Sequence, residues 1–203
     1  MSQDFTYLSI KKTSESLFKD KGSKPFGYAH PVSNRSEIDE IVTYLRKSNS
    51  KANHVCYAWV LREDGEIREY STDDGEPNNS AGPPILGQIK SSNFQNILVA
   101  VVRYFGGTKL GVSGLINAYK TAAKMAIEES IAVLLEDSVS LKLNYEYPVY
   151  NQIIKTIKEY NLKVLFEENK ANCTLVVDVP LSKRIEINGF INKMDCNSIE
   201  WED

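Results

Sequence analysis

Residues 96–115 read N-I-L-V-A-V-V-R-Y-F-G-G-T-K-L-G-V-S-G-L, and the reading of this stretch decides the fold. Positions 97–102 are an unbroken apolar run rich in β-branched residues, which suits a strand covered on both faces. Arg103, Tyr104 and Phe105 end the run, and four glycines follow at Gly106, Gly107, Gly111 and Gly114. A helical pattern then begins, with Leu115, Tyr119, Ala122, Ala123, Ala126 and Ile127 at one-turn spacing. The alanines on that face let the helix lie close to a sheet. A strand, a glycine-rich loop and a helix N-terminus together allow a backbone to approach a ligand. The helix start offers unpaired N–H groups and a positive dipole end to an anion. Arg103 and Lys109 add positive charge on either side of the glycine pair, and Ser113 sits near the expected helix start. These residues are the candidate phosphate or ligand contacts. Neither G-x-x-x-x-G-K-[ST] nor G-x-G-x-x-G is present, so the loop carries no nucleotide fingerprint. A crowded strand-to-helix turn that needs small residues fits the same pattern equally well.

On the N-terminal side, residues 6–10 read as a short strand and 20–24 as a turn with local positive charge from Lys24. Residues 26–32 read as a further strand. Ser36, followed by Asp39, is the expected N-cap of a helix whose apolar face is Ile38, Ile41, Val42 and Leu45. Residues 54–61 form a second strong strand and 67–71 a third, with 63–66 as a hairpin turn. Residues 72–84 are the most turn-rich segment of the chain, and Ile85, Leu86 and Ile89 suggest a short helix after it. Asn117, Lys120 and Lys124 fall on the solvated side of the later helix.

Beyond a divide at residues 129–137 the pattern restarts. Strands are expected at 139–146, 162–167, 173–179 and 198–201, with helices from Tyr150 to Ile157 and at 182–194, and a polar turn at 168–172. This β-α-β-β-α-β order is the ferredoxin-like plan, an α+β sandwich. The expected domains are therefore 1–134 and 135–203.

Composition narrows the function classes. The 203 residues are 42% hydrophobic and 25% charged, the ordinary balance of a globular protein. A net charge of −3 supplies no global attraction to nucleic acid or anionic membrane, so any such contact must come from a local patch. From Ser138 on there are 8 basic and 10 acidic side chains, so that half is not electrostatically lopsided either. No apolar run approaches the ~18 residues of a membrane span, and the start, Met1-Ser-Gln-Asp-Phe, has neither the basic nor the apolar part of a signal peptide. Cys56, Cys173 and Cys196 form no C-x-x-C and no disulfide framework. The expectation is a cytoplasmic protein with no membrane partner and no DNA specificity.

Two further groups bear on chemistry. Asp73, Asp74, Gly75 and Glu76 place three carboxylates within four residues, a cluster able to hold a hard cation or simply to form an acidic turn. His54 and Cys56 lie two apart on a strand and so face the same way. That spacing could pair a thiolate with an imidazole, although a packed Cys beside a hydrogen-bonded His is the commoner outcome. With two histidines and no paired Cys, zinc is not expected, and no G-x-S-x-G or H-E-x-x-H occurs. Nothing in these motifs requires catalysis.

Three segments taken together resemble the YigZ/IMPACT family: A-N-H-V-C-Y-A-W at 52–59, S-T-D-D-G-E-P-N-N-S-A-G-P-P-I-L at 71–86, and V-V-R-Y-F-G-G-T-K-L-G-V-S-G-L-I-N-A-Y at 101–119. The resemblance covers roughly 22–130, and residues 138–203 are similar to the second domain of bacterial members. It implies an N-terminal α/β sandwich like the second domain of a small-subunit ribosomal protein, and a C-terminal ferredoxin-like domain like one in elongation factor G. It also marks His54, Asp73, Asp74, Gly75, Glu76, Ala81, Gly82, Arg103, Gly106, Gly107, Gly111 and Gly114 as the family's motif positions. Asn78-Asn79-Ser80 and Lys24-Pro25-Phe26 depart from the commoner family residues.

Eukaryotic relatives regulate translation through a partner of their own, a role that does not transfer to this chain; kinship of the fold with ribosomal-protein and elongation-factor domains is what implies a translation-related binding protein that contacts RNA or the ribosome. Arg103, Lys109 and the helix start near Ser113 would receive phosphates, with Lys24 at the rim and His54 in support. One alternative is an enzyme using Mg²⁺, held by Asp73, Asp74 and Glu76, on a phosphorylated small molecule or nucleotide. Another is a module for a protein partner. No resident cofactor is expected under the first reading.

Overall fold

The computed structural model describes residues 5–20, 22–63, 66–170 and 172–202. The start of the chain at Met1–Asp4, and the expected turn residues Lys21, Asp64, Gly65 and Ala171, lie outside the described residues. The chain divides into two compact units, one of Tyr7–Leu135 and the other from Glu136 onward with Phe5 and Thr6.

The first unit is organised on the apolar run. It forms strand β6, Ile97–Tyr104, buried from Ile97 to Arg103. In the sheet it lies between β3 (Lys24–Pro31) and β4 (His54–Glu63), antiparallel to both, with Phe26 and Val55 opposite Val102. The outer strands are β2 (Ser14–Leu17) beside β3 and β5 (Glu66–Thr72) beside β4. Alternation on β6 then separates two cores. Ile97, Val99 and Val101 pack with helices α2 (Gly82–Ser92) and α3 (Gly111–Glu128). Leu98, Ala100 and Val102 pack with α1 (Arg35–Ser48). The expected two-sided burial is what the structure has.

Local chemistry sets the helices. Asn34, not Ser36, caps α1: its Oδ1 accepts from the Glu37 N–H at 3.0 Å, while Glu37 Oε2 accepts from the Ser33 N–H at 2.8 Å. This box-like pair begins the helix before the expected cap, because Asn34 satisfies one N–H of the first turn while Glu37 reaches back to the Ser33 N–H just ahead of the cap. On α3 every position of the expected apolar face is buried. The helix backbone lies so close to β3 that a Cβ on Gly27 would fall 2.3 Å from the Ala122 carbonyl oxygen. Ser14 and Ser16 of β2 donate from their hydroxyls to the carbonyls of Ala126 (2.6 Å) and Ala122 (3.0 Å). That explains a strand with no apolar run.

Strand β1 (Thr6–Ile10) pairs with β7 (Ala132–Glu136) in a separate two-stranded sheet. The segment read as a divide, 129–137, is thus partly strand.

In the second unit the elements are β8 (Ser138–Tyr145), α4 (Tyr150–Tyr160), β9 (Lys163–Glu168), β10 (Cys173–Pro180), α5 (Arg184–Ile191) and β11 (Cys196–Glu202). Its sheet is antiparallel throughout, in the order β11-β8-β10-β9. Alternate residues of β8 and β10, among them Leu141, Leu143, Leu175 and Val177, form its core with Ile153, Ile157 and Ile187 from the helices. Among the described residues no helix is long and apolar enough to cross a membrane.

Candidate functional site

The motif positions of the first unit meet at one end of its sheet. Because β4 and β6 are antiparallel, His54 stands opposite Arg103. Both face the α3 side, as do Cys56 and Val101 two residues along. Arg103 is 6% exposed, and its Nε donates to Glu76 Oε1 at 2.5 Å. Tyr119, from the buried face of α3, donates its hydroxyl to the same oxygen at 2.6 Å. His54 Nε2 lies 3.9 Å from that oxygen, and its Nδ1 lies 2.8 Å from the Asp74 carbonyl. A carbonyl can only accept, so Nδ1 carries the proton of that bond. Burial alone would lower the Arg103 guanidinium, but its bonds to Glu76 and Tyr119 outweigh that and hold it above its ordinary value. Burial, with Cys56 and Glu76 nearby, raises the Tyr119 phenol.

The acidic loop is built around its carboxylates. Asp73 accepts three backbone N–H groups, from Asn79 (2.8 Å), Ala81 (2.9 Å) and Gly82 (2.8 Å). The last two open α2, whose N-cap, Ala81, has no capping side chain of its own. Asp73 therefore caps that helix from across the loop, where a negative charge also suits the helix dipole. Asp74 accepts from the Val55 N–H at 2.7 Å and pairs with Arg46 at 2.6 Å. Positive φ at Asp74 and Gly75 turns the chain so that Glu76 points inward instead. The three carboxylates thus serve three different sets of donors, and among the described residues no group of His, Cys, Asp and Glu is placed to share a metal ion. Asp74, His54, Arg46, Asn49 and Asn53 line a small polar cleft of about 160 Å³.

One expectation changes on this geometry. Arg103 does not receive a phosphate at the surface, because it is buried and committed to Glu76. Glu76 of the acidic loop meets the end of β6, just before the glycine loop, through that buried pair. Cys56 takes the packed role: its thiol donates to the Asp73 carbonyl at 3.0 Å, and burial pushes its pKa up to about 12. Iodoacetamide at pH 8 is accordingly expected to spare Cys56 in the folded chain and to label it in urea, read by peptide mass spectrometry. Rapid labelling of Cys56 in the folded chain would contradict the packed role.

The rest of the glycine stretch faces solvent. Gly106 is required by close approach, since a Cβ there would fall 2.0 Å from the Gly22 carbonyl carbon. Gly107 and Gly111 have positive φ and open space around them, while Gly114 sits against the Leu110 side chain. Lys109, Ser113 and Lys24 are exposed. Helix α3 begins at Gly111, two residues before Ser113, with no side-chain cap and no acidic residue in its first turn. Phe105, Val112 and Ile116 expose apolar surface beside it. The sequence reading missed Tyr119 as a polar partner. Its one signal was a phenol on a helix face otherwise held by alanine, leucine and isoleucine.

The Impact N-terminal domain matches residues 21–127. Over 201 residues the chain is 28% identical to "IMPACT family member YvyE" of Bacillus subtilis, covering 97% of this chain and 85% of that protein. It is 28% identical to "IMPACT family member YigZ" of Escherichia coli, covering 78% of each. Against the yeast "Protein IMPACT homolog" identity is 27%, covering 57% of this chain and 45% of that protein. In structure it is similar to a crystal structure of a hypothetical protein, with a TM-score of 0.74, 24% identity, and 98% and 97% of the two chains covered. The domain match spans more than half of the sequence and takes in His54, the acidic loop, Arg103 and the glycine loop, so the chain belongs to the IMPACT family.

Proposed function

We propose that this chain is a cytoplasmic binding protein of translation-related regulation, with RNA or a ribosomal surface as its partner and the glycine loop as its contact. The observation that carries the reading is the start of α3: exposed, uncapped by any side chain, free of acidic residues in its first turn, and preceded by exposed Lys109. Phosphate oxygens are the natural acceptors for such a turn. Lys24, opposite Tyr104 on the neighbouring strand, extends the basic rim, and Arg103 acts from beneath by fixing the end of β6. The family's eukaryotic members regulate translation, which supports the coarse role. In the second unit the strand order and the β-α-β-β-α-β sequence support a ferredoxin-like fold. In the first, helices on both faces of a five-stranded sheet support the sandwich likened to a ribosomal-protein domain.

A protein partner is the second reading, favoured by the exposed Phe105, Val112 and Ile116. The Mg²⁺-dependent enzyme has less support, since Asp73, Asp74 and Glu76 are each engaged by different groups.

Co-sedimentation with ribosomes at low and moderate salt, beside Lys109→Glu, tests the proposal. Binding that falls with salt and drops about tenfold or more in the variant is expected. No sedimentation of the intact protein at either salt sinks the ribosomal reading. Capture that ignores salt and Lys109 but is lost in Phe105→Ser moves the contact to a protein.

A further inference from the structure

Strand β9, K-V-L-F-E-E at Lys163–Glu168, is an edge of the second unit's sheet: it pairs with β10 on one side and with no strand on the other among the described residues. Its apolar centre is open, with Val164 41%, Leu165 48% and Phe166 52% exposed. Edges of that kind are usually blunted by proline or by charge along the strand. Here no proline interrupts β9 and the charges sit only at its ends: Lys163 at one, Glu167 and Glu168 at the other.

That distribution is self-complementary. The register with β10 places Phe166 opposite Val176 and Glu168 opposite Thr174, so these face away from the helices, and Lys163, opposite Asp178, does the same. Val164 and Glu167 stand opposite Val177 and Leu175 and face the helix side. The ladder shifts between Val176 and Val177, which leaves Leu165 as the bulge residue. Now bring a second β9 alongside, antiparallel, about a two-fold axis between Leu165 and Phe166. Lys163 of one copy falls opposite Glu168 of the other, Val164 opposite Glu167, and Leu165 opposite Phe166. The pairs with an assigned face match in face as well as in place, and the Lys–Glu pair occurs twice by symmetry. Parallel pairing in register would instead set like charges side by side.

We propose that β9 is a self-association edge, through which two copies of this chain join their four-stranded sheets into one antiparallel sheet of eight. The contact is isologous, so it closes at two copies. The bulge limits its length, and six residues place it among weak interfaces, with dissociation constants on the order of tens of micromolar. Glu168 already reaches Lys170 at 2.6 Å and would exchange this exposed partner for Lys163 of the other copy.

Sedimentation equilibrium of the full chain from ~5 to ~500 micromolar tests this. A monomer–dimer equilibrium is expected. Lys163→Glu, which sets like charges opposite one another twice, should weaken it about tenfold or more. Lys163→Glu with Glu168→Lys should restore it, and Phe166→Lys should abolish it. All three positions are surface residues, and circular dichroism checks that each variant folds. A monomer across the whole range overturns the proposal. So does a dimer indifferent to Lys163→Glu and Phe166→Lys, or a charge swap that fails to restore association.

Discussion

Changing Arg103 to Met is expected to lower the unfolding free energy of the first unit by about 3–5 kcal/mol. The size follows from what is left behind. Glu76 keeps the Tyr119 hydroxyl but loses its cation while remaining buried, and an uncompensated buried carboxylate costs far more than the pair contributes. The paired variant makes the argument testable. Arg103→Met with Glu76→Leu, both made in a Tyr119→Phe background so that no buried hydroxyl loses its acceptor, removes both charges and should recover most of the loss, because apolar groups of similar volume can replace a buried ion pair at little cost. Urea unfolding followed through Trp59, in a Trp201→Phe background, reads the first unit alone; with a slope of roughly 2 kcal/mol per molar, the single variant's midpoint should fall by about 1.5–2.5 M. A single variant as stable as the parent would mean that Glu76 finds another donor.

The second large effect is expected at Gly27→Ala, at about 3 kcal/mol or more. The added Cβ would lie 2.3 Å from the Ala122 carbonyl oxygen and 2.7 Å from Ser16 Oγ. The serine can rotate away. The carbonyl belongs to the backbone of α3 and is already held by the Ser16 hydroxyl, so relief requires the helix to lift from the sheet. Lifting it would loosen Ala122, Ala123 and Ala126 from the core together. The same urea measurement gives the cost. Ala at Gly107, where no atom crowds the site and only the φ of 86° opposes a side chain, should cost about 1–2 kcal/mol. Equal losses at the two positions would remove close packing as the reason for Gly27.

The legible parts of this fold are those whose determinants lie close together in the chain. Six apolar residues bounded by a charge suffice to mark β6, and the alanine-rich face of α3 is periodic over its whole length. Strand β2 carries no such mark, since Ser14 and Ser16 earn their place through carbonyls more than a hundred residues later. The cap of α1 lies two residues before the expected one, because Asn34 with Glu37 and Ser36 with Asp39 carry the same cap-x-x-acid spacing, and only the first pair forms the bonds. At the site the motif residues were legible as a group but their partners were not. Arg103 beside four glycines reads as a surface cation. What removes it from the surface is Glu76, brought beneath it by a loop whose shape depends on Asp73 and Asp74. Carboxylates that look like ligands for a cation are, in the folded chain, ligands for backbone N–H groups and for two arginines.

The position of β6 between β3 and β4 also governs when this protein can fold as it is made. Neither flanking strand has its partner across the slot until Tyr104 has left the ribosomal tunnel. Eighty residues separate the start of β3 from the end of β6, on the order of ten seconds of synthesis at roughly 5–20 residues per second. Over its last 32 residues, from the end of β5 at Thr72 to Tyr104 and so for roughly 2–6 seconds, the completed hairpin of β4 and β5 exposes an unpaired edge and the aromatic side chains of Tyr57 and Trp59. The nascent chain therefore passes through a stage at which a chaperone, or another nascent chain, can occupy the slot that β6 will fill.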